Sequence, residues 1–204
     1  FGVVLILSAW NYPFQLAVNP LIGAITAGNC CIIKPSELSP NTSRLLADII
    51  KECFNEEYCA VVEGGVEETS ALLNERFDFI FYTGSTRVGK IIAEKAAKNL
   101  TPIVLEMGGK SPCIVDNTAD IEISARRIAW GKFINAGQTC VAPDYVVVHK
   151  DIKGLLIKAM IKNINIFYRN DAEKSIDYCR IINENHFNRL TAFLDKGNIA
   201  SGGK

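Results

Sequence analysis

The chain has 204 residues, 49% of them apolar, and its 22 basic side chains balance 22 acidic ones. Such a chain can bury one large core or two smaller ones, and its neutrality gives no electrostatic reason to expect a nucleic-acid or acidic-membrane partner. Seven cysteines without a CxxC pair, beside only two histidines, argue against a disulfide framework and a structural zinc site and for a reducing, cytoplasmic compartment.

The opening FGVVLILSAW is apolar but has no basic flank and no small-residue cleavage site, so it reads as a buried strand rather than a signal peptide. No apolar run reaches membrane-spanning length. Short continuous apolar runs follow: GVVLILS, NCCIIKP, CAVVEGG, FDFIFYTG and TPIVLEMGG. Runs of that kind are expected of parallel strands covered on both faces. Between them Ser39-Pro40 signals a helix start, followed by Leu45, Leu46, Ile49, Ile50, Cys53 and Phe54 at helical spacing. Ser85 can cap a helix carrying Val88, Ile91, Ile92 and Ala96 on one face.

After LEMGGKSP the pattern restarts, with CIVDN and DYVVVHK as strands and DIEISARRIAWGKFIN and IKGLLIKAMIKNINIFY as helices. The alternation predicts an α/β protein: a Rossmann-like doubly wound parallel sheet followed by part of a second α/β domain. The expected division is residues 1–107 and 108–204. Both ends read as cut, the first inside a strand and the last in the Gly-rich GNIASGGK, so the chain is read as a fragment of a longer protein.

Several residues have the chemistry of a site. Glu106 ends an apolar strand, where desolvation would suit it to base chemistry; a solvated or ion-paired strand end is the equal alternative, and the following Gly108-Gly109 favours the first by permitting close approach. Cys140 follows a turn built with Gly137, and its N–H can face a developing oxyanion; a lone cysteine by itself reads more simply as inert. Cys30, Cys31, Cys53 and Cys113 read as small buried residues. Asn11, just past the first strand, is either a turn residue or a side-chain donor at the carboxyl end of a parallel strand. GSTRVG, residues 84–89, follows a strand and opens a helix, a setting that suits a pyrophosphate although GxGxxG is absent. Lys34 and Glu37 are either a solvated pair or partners for a ribose.

Taken in order, AWNYPF, IIKPSE, YTGSTRVGK, LEMGGKSP and GQTCVAPDY resemble the aldehyde dehydrogenase superfamily. GQTCVAPDY together with RRIAWGKF is similar to its class 3 branch, the fatty and aromatic aldehyde dehydrogenases. The resemblance covers essentially the whole chain. It implies NAD as cofactor, with NADP possible, and residues 1–107 as the NAD(P)-binding domain ahead of a catalytic domain. Cys140 would be the nucleophile, Glu106 the general base, and Asn11 an oxyanion donor beside the Cys140 N–H. Lys34 and Glu37 would hold the adenosine ribose, and Gly84, Ser85 and Val88 would line the cofactor. Tyr12, Trp130 and Ile134 are expected to line an apolar aldehyde tunnel, Trp130 and Ile134 sharing a helix face four residues apart.

The implied reaction is oxidation of a hydrophobic medium- or long-chain or aromatic aldehyde to a carboxylic acid through a cysteine thiohemiacetal and thioester, in a homodimeric parent. The family's Glu-x-Phe-Gly-Pro segment and its C-terminal arm do not occur in the 204 residues, so the fragment itself is expected to have little activity. Two alternatives stand beside this: an acylating enzyme passing the acyl group to coenzyme A, which would not need Glu106 as base, and a non-catalytic dinucleotide-binding protein.

Overall fold

The computed structural model describes residues 2–203; Phe1 and Lys204 lie outside them. The chain forms two compact units, Phe1–Gly108 and Gly109–Lys204.

The first unit is a five-stranded parallel sheet of β1 (Val3–Leu7), β2 (Cys30–Lys34), β3 (Cys59–Val61), β4 (Phe79–Gly84) and β5 (Ile103–Met107). Their spatial order is β3-β2-β1-β4-β5. The helices α1 (Gln15–Thr26), α2 (Pro40–Cys53), α3 (Val66–Leu72) and α4 (Thr86–Ala97) connect the strands. Successive side chains of a strand point to opposite faces. On β1, Val4 and Ile6 therefore join Ala17 and Leu21 of α1 and Leu46 and Ile50 of α2 in one core. Leu5 and Leu7 join Tyr82, Ile92 and Ala96 in a core on the other face. This is the doubly wound α/β layer structure that the apolar runs predict.

Three expectations about burial are corrected. Leu45 and Ile91 are exposed, 55% and 48%, while their neighbours Leu46 and Ile92 are buried. Adjacent helical residues diverge by about 100°, so only one of each apolar pair can face the sheet. Cys53 is exposed rather than buried; it is the last residue of α2, and Phe54 takes the packing position beside the sheet instead. Ser39 does precede α2, but its hydroxyl donates back to the Ser36 carbonyl at 3.2 Å instead of capping the helix. Ser85 is a true cap: its Oγ accepts from the Val88 N–H at 3.3 Å.

The second unit contains a parallel pair, β6 (Pro112–Val115) and β7 (Tyr145–Val148), with α5 (Ile121–Phe133), α6 (Lys153–Phe167) and α7 (Glu184–Thr191). Val115, Ala125, Ile128, Leu156 and Ala159 form its core. Asp120 caps α5 by accepting from the Ile123 N–H at 2.9 Å.

Gly84 ends β4 for a steric reason. The Tyr82 side chain folds over it, with the phenol donating to the Ser85 carbonyl at 3.0 Å, and a Cβ at residue 84 would collide with the ring and its hydroxyl. Gly84→Ala is therefore expected to destabilise the protein by about 1–3 kcal/mol, the scale of overpacking. In a Tyr82→Leu background the same change should cost far less; thermal or urea denaturation of the four members of the cycle measures the coupling.

Candidate functional site

The strand order places a chain reversal between β1 and β4: the connection leaves β1 toward β2 and β3 on one side, and the sheet resumes with β4 on the other. Ligands of open parallel sheets bind outside the carboxyl ends of the strands at such a point. The register shows what stands there. Leu7 pairs with Lys34 on one side and with Tyr82 on the other, and Thr83 and Gly84 pair with Glu106 and Met107. The carboxyl edge of this one sheet thus gathers Lys34, Gly84, Ser85 and Glu106, with Asn11 and Tyr12 in the bend that leaves β1.

Lys34 is 4% exposed, and its Nζ lies 3.3 Å from the Glu37 carboxylate, which is half exposed. The two form an ion pair anchored on a buried lysine and are not two solvated surface charges. Asn11 and Tyr12 are both half-buried. Val88 is half-buried in the first turn of α4, behind the Ser85 cap. Glu106 departs from expectation: it is exposed, not desolvated. Ile103, Leu105 and Met107 turn toward the sheet core, so the alternating position turns Glu106 away from it.

One residue at this edge carries no sequence signal. Ser8 follows β1, its N–H donates to the Lys34 carbonyl at 3.1 Å, and it is 8% exposed. Among the described residues its Oγ is the one buried side-chain oxygen or nitrogen without a hydrogen-bond partner. Buried hydroxyls are almost always paired. A hydroxyl matches many patterns, so only the fold reveals this one.

In the second unit α5 runs into a single 3₁₀ turn, Ile134–Gly137, and then into Cys140. Asn135 and Ala136 both take left-handed backbone angles, φ 51° and 52°, and Gly137 follows at φ 77°. Asn tolerates this region and Gly is at home in it, but an alanine there costs roughly 1–2 kcal/mol. A Cβ at Gly137 would also stand 3.1 Å from the Lys132 carbonyl. The turn carries Cys140 to the surface, where it is exposed. Among the described residues its backbone N–H makes no hydrogen bond. Gly109 runs close by: a Cβ there would touch the Cys140 carbonyl oxygen at 3.4 Å.

The other cysteines sort by environment. Burial, reinforced by neighbouring thiols, pushes Cys31 and Cys59 up to about 11, so neither supplies a thiolate near neutrality. Cys30 and Cys113 are half-buried, and Cys179 is exposed.

Trp130 and Ile134 stand one helical turn apart, with the Ile134 N–H donating to the Trp130 carbonyl. Ile134 has ψ 137°, so the chain leaves the helix only after it. Both are exposed, 60% and 37%, so neither belongs to the core of its unit. Gln138 is the positional feature that the sequence did not reveal: its side-chain amide bonds the Asn135 carbonyl and the main chain at residues 180 and 182. Among the described residues no cluster of side chains could hold a metal ion, and no helix is long and apolar enough to cross a membrane.

These features meet in comparisons with known proteins. The model of the aldehyde dehydrogenase family matches residues 1–203, and the chain belongs to that family. It is 52% identical over 202 residues to the rat "Aldehyde dehydrogenase, dimeric NADP-preferring", covering 99% of this chain and 45% of that protein. It is 52% identical over 203 residues to "Aldehyde dehydrogenase family 3 member A2" of Pongo abelii, covering 100% of this chain and 42% of the relative. The solved "Substrate bound state of Staphylococcus Aureus AldH" superposes with a TM-score of 0.94 at 53% identity, over 100% of this chain and 45% of that one. The chain thus spans less than half the length of the relatives it matches.

Lys110 and Asp144 tie the entries of β6 and β7 together, Nζ to carboxylate at 2.8 Å. The hydrogen bond from Lys110 holds the Asp144 carboxyl below its ordinary value of 3.8. A depressed carboxyl contributes stability that is present above the unfolded value and lost as pH falls through the folded one. The melting temperature of Asp144→Asn should lie below that of the unaltered chain at pH 5–7, and the gap should close as the pH is lowered below about 3.8.

Proposed function

We propose that the protein of which these residues form part oxidises a hydrophobic aldehyde to a carboxylic acid with NAD(P), using Cys140 as nucleophile. The observation that carries the proposal is the Cys140 turn. It sets an exposed thiol, with its own N–H unengaged, at the end of three left-handed residues, while two other thiols are sealed in the sheet core. Backbone strain of this kind persists where surrounding structure enforces it, and it concentrates at reacting groups. Family membership supplies the reaction class.

The residues at the carboxyl edge of the sheet fit a dinucleotide. The unpartnered Ser8 hydroxyl is buried there, and the N-terminus of α4 offers a capped turn with its dipole directed at anions. Lys34 and Glu37 would hold the adenosine ribose, and Gly84, Ser85 and Val88 would line the pyrophosphate and adenine side. Bound there, NAD(P) supplies the acceptor for a hydride.

In the proposed sequence the Cys140 thiolate adds to the carbonyl carbon of the aldehyde, and its carbonyl π electrons move to oxygen. The Cys140 N–H and the Asn11 side chain stabilise that oxyanion; one such donor is worth about 3–4 kcal/mol. Loss of the hydride to the acceptor leaves a thioester on Cys140. Glu106 then takes a proton from water, the resulting hydroxide adds to the thioester, and the thiolate leaves as the acid is released. Exposure of Glu106 suits this second step, since the attacking water must reach it. Tyr12, Trp130 and Ile134 offer apolar surface to the aldehyde chain. Residues 1–107 would serve as the cofactor-binding domain and 108–204 as part of the catalytic one.

NADH formation with a medium-chain aliphatic aldehyde tests the proposal. The whole protein should form NADH, and Cys140→Ser should abolish it; equal rates in the two would remove Cys140 from the mechanism. Cofactor choice is read separately. The Glu37 carboxylate repels a ribose 2′-phosphate, and Lys34 beside it offsets part of that repulsion. Glu37→Gln should raise the NADP-to-NAD ratio of kcat/KM by about tenfold, the scale of one like-charge contact near a surface. An unchanged ratio would take Glu37 out of the ribose site.

A further inference from the structure

The turn before Cys140 is held from outside itself. A backbone hydrogen bond from the Gln138 N–H to the Asn135 carbonyl at 3.0 Å closes its three left-handed residues from within. The Asn135 side chain donates to the Gln138 carbonyl at 3.4 Å, and the Gln138 side chain adds further bonds. Its Nε2 donates to the Asn135 carbonyl at 3.0 Å and to the Arg180 carbonyl at 3.1 Å, and its Oε1 accepts from the Ile182 N–H at 2.9 Å. The last two partners lie 42 and 44 residues further along the chain. They belong to a stretch without helix or strand, which Arg180 organises: its guanidinium donates to the carbonyls of Tyr178 at 2.8 Å, Glu173 at 2.5 Å and Ala172 at 3.5 Å.

We infer that Gln138 is a positioning residue for Cys140: its amide locks the left-handed turn to the Arg180–Ile182 backbone and thereby fixes where the Cys140 thiol and N–H point. The inference rests on the reading of Cys140 as nucleophile. A primary amide can donate twice and accept at once. A carboxylate of the same shape keeps the bond from the Ile182 N–H but cannot donate to either carbonyl. Once protonated, the carboxyl recovers one of those donations. Gln138→Glu therefore carries a pH signature that general loosening of the turn does not.

The test compares the unaltered protein with Gln138→Ala and Gln138→Glu. The reading is the single-turnover rate of NADH formation, normalised to titratable Cys140 thiol, well below each melting temperature. Gln138→Ala is expected to lower this rate about 10- to 100-fold, the effect of misplacing a reacting group by an ångström or less, while the aldehyde KM moves far less. Gln138→Glu should match Gln138→Ala at high pH and regain rate as the pH falls and the carboxyl protonates. A Gln138→Ala rate per thiol equal to that of the unaltered protein overturns the inference, and so does a ratio between the two variants that stays flat with pH. Should Gln138→Ala fail to fold, Arg180→Ala loosens the anchoring stretch without touching the turn; a slowed rate supports the inference and an unchanged rate overturns it. An unaltered protein without Cys140-dependent NADH overturns the nucleophile reading and this inference together, whereas an active one with unaffected variants overturns this inference alone.

Discussion

The position of β1 constrains everything else in the first unit. It is the middle strand of five, hydrogen-bonded to β2 on one side and β4 on the other, and its Leu5 and Ile6 are wholly buried on opposite faces. A strand sealed in this way cannot shift register by one residue without sending each apolar side chain into the wrong core. Its register fixes the heights of β2 and β4, and β4 fixes that of β5. Lys34, Gly84 and Glu106 therefore reach one edge because of pairing decided several residues earlier, inside the sheet.

The second unit places Cys140 by a different route. A sheet edge gathers residues through regular geometry, whereas the Cys140 turn departs from regular geometry and must be enforced. Asp120 starts α5 with an ordinary cap, and the helix then ends abruptly at Phe133. Asn135, Ala136 and Gly137 then adopt left-handed backbone angles, and part of the restraint on them comes from main-chain atoms more than 40 residues away. The flexible-looking stretch around Arg180 is thus structural in effect. It has no regular secondary structure, yet one guanidinium binds three of its carbonyls and two of its backbone groups hold Gln138.

The sheet was legible in the sequence because parallel strands buried on both faces leave unbroken apolar runs, and all five runs of the first unit are strands. Helices were legible where a cap or a long apolar stripe marked them, as for α2, α4, α5 and α6. The others gave weaker signals: α1 carries Pro20 within it, and the seven-residue α3 buries none of its side chains. Adjacent apolar pairs were misread as joint core residues, since a sequence window does not show which member faces the sheet. Among the candidate residues, the strand-end positions of Lys34 and Gly84 and the cap at Ser85 were readable from local pattern. Exposure of Glu106 was not, because it depends on alternation along β5. The orphaned hydroxyl of Ser8 and the clamp at Gln138 were unreadable because each is defined by distant partners or by their absence.

The proposed dinucleotide site lies at the carboxyl edge of the sheet where β1 pairs with β4. Amide hydrogen exchange of the protein with and without NAD tests it most directly, since it reads the backbone of each segment separately and requires no turnover. The account predicts slowed exchange with NAD at residues 8–12, after β1, and at residues 85–89, which open α4. Slowing confined to other segments, or none at saturating NAD, would contradict it.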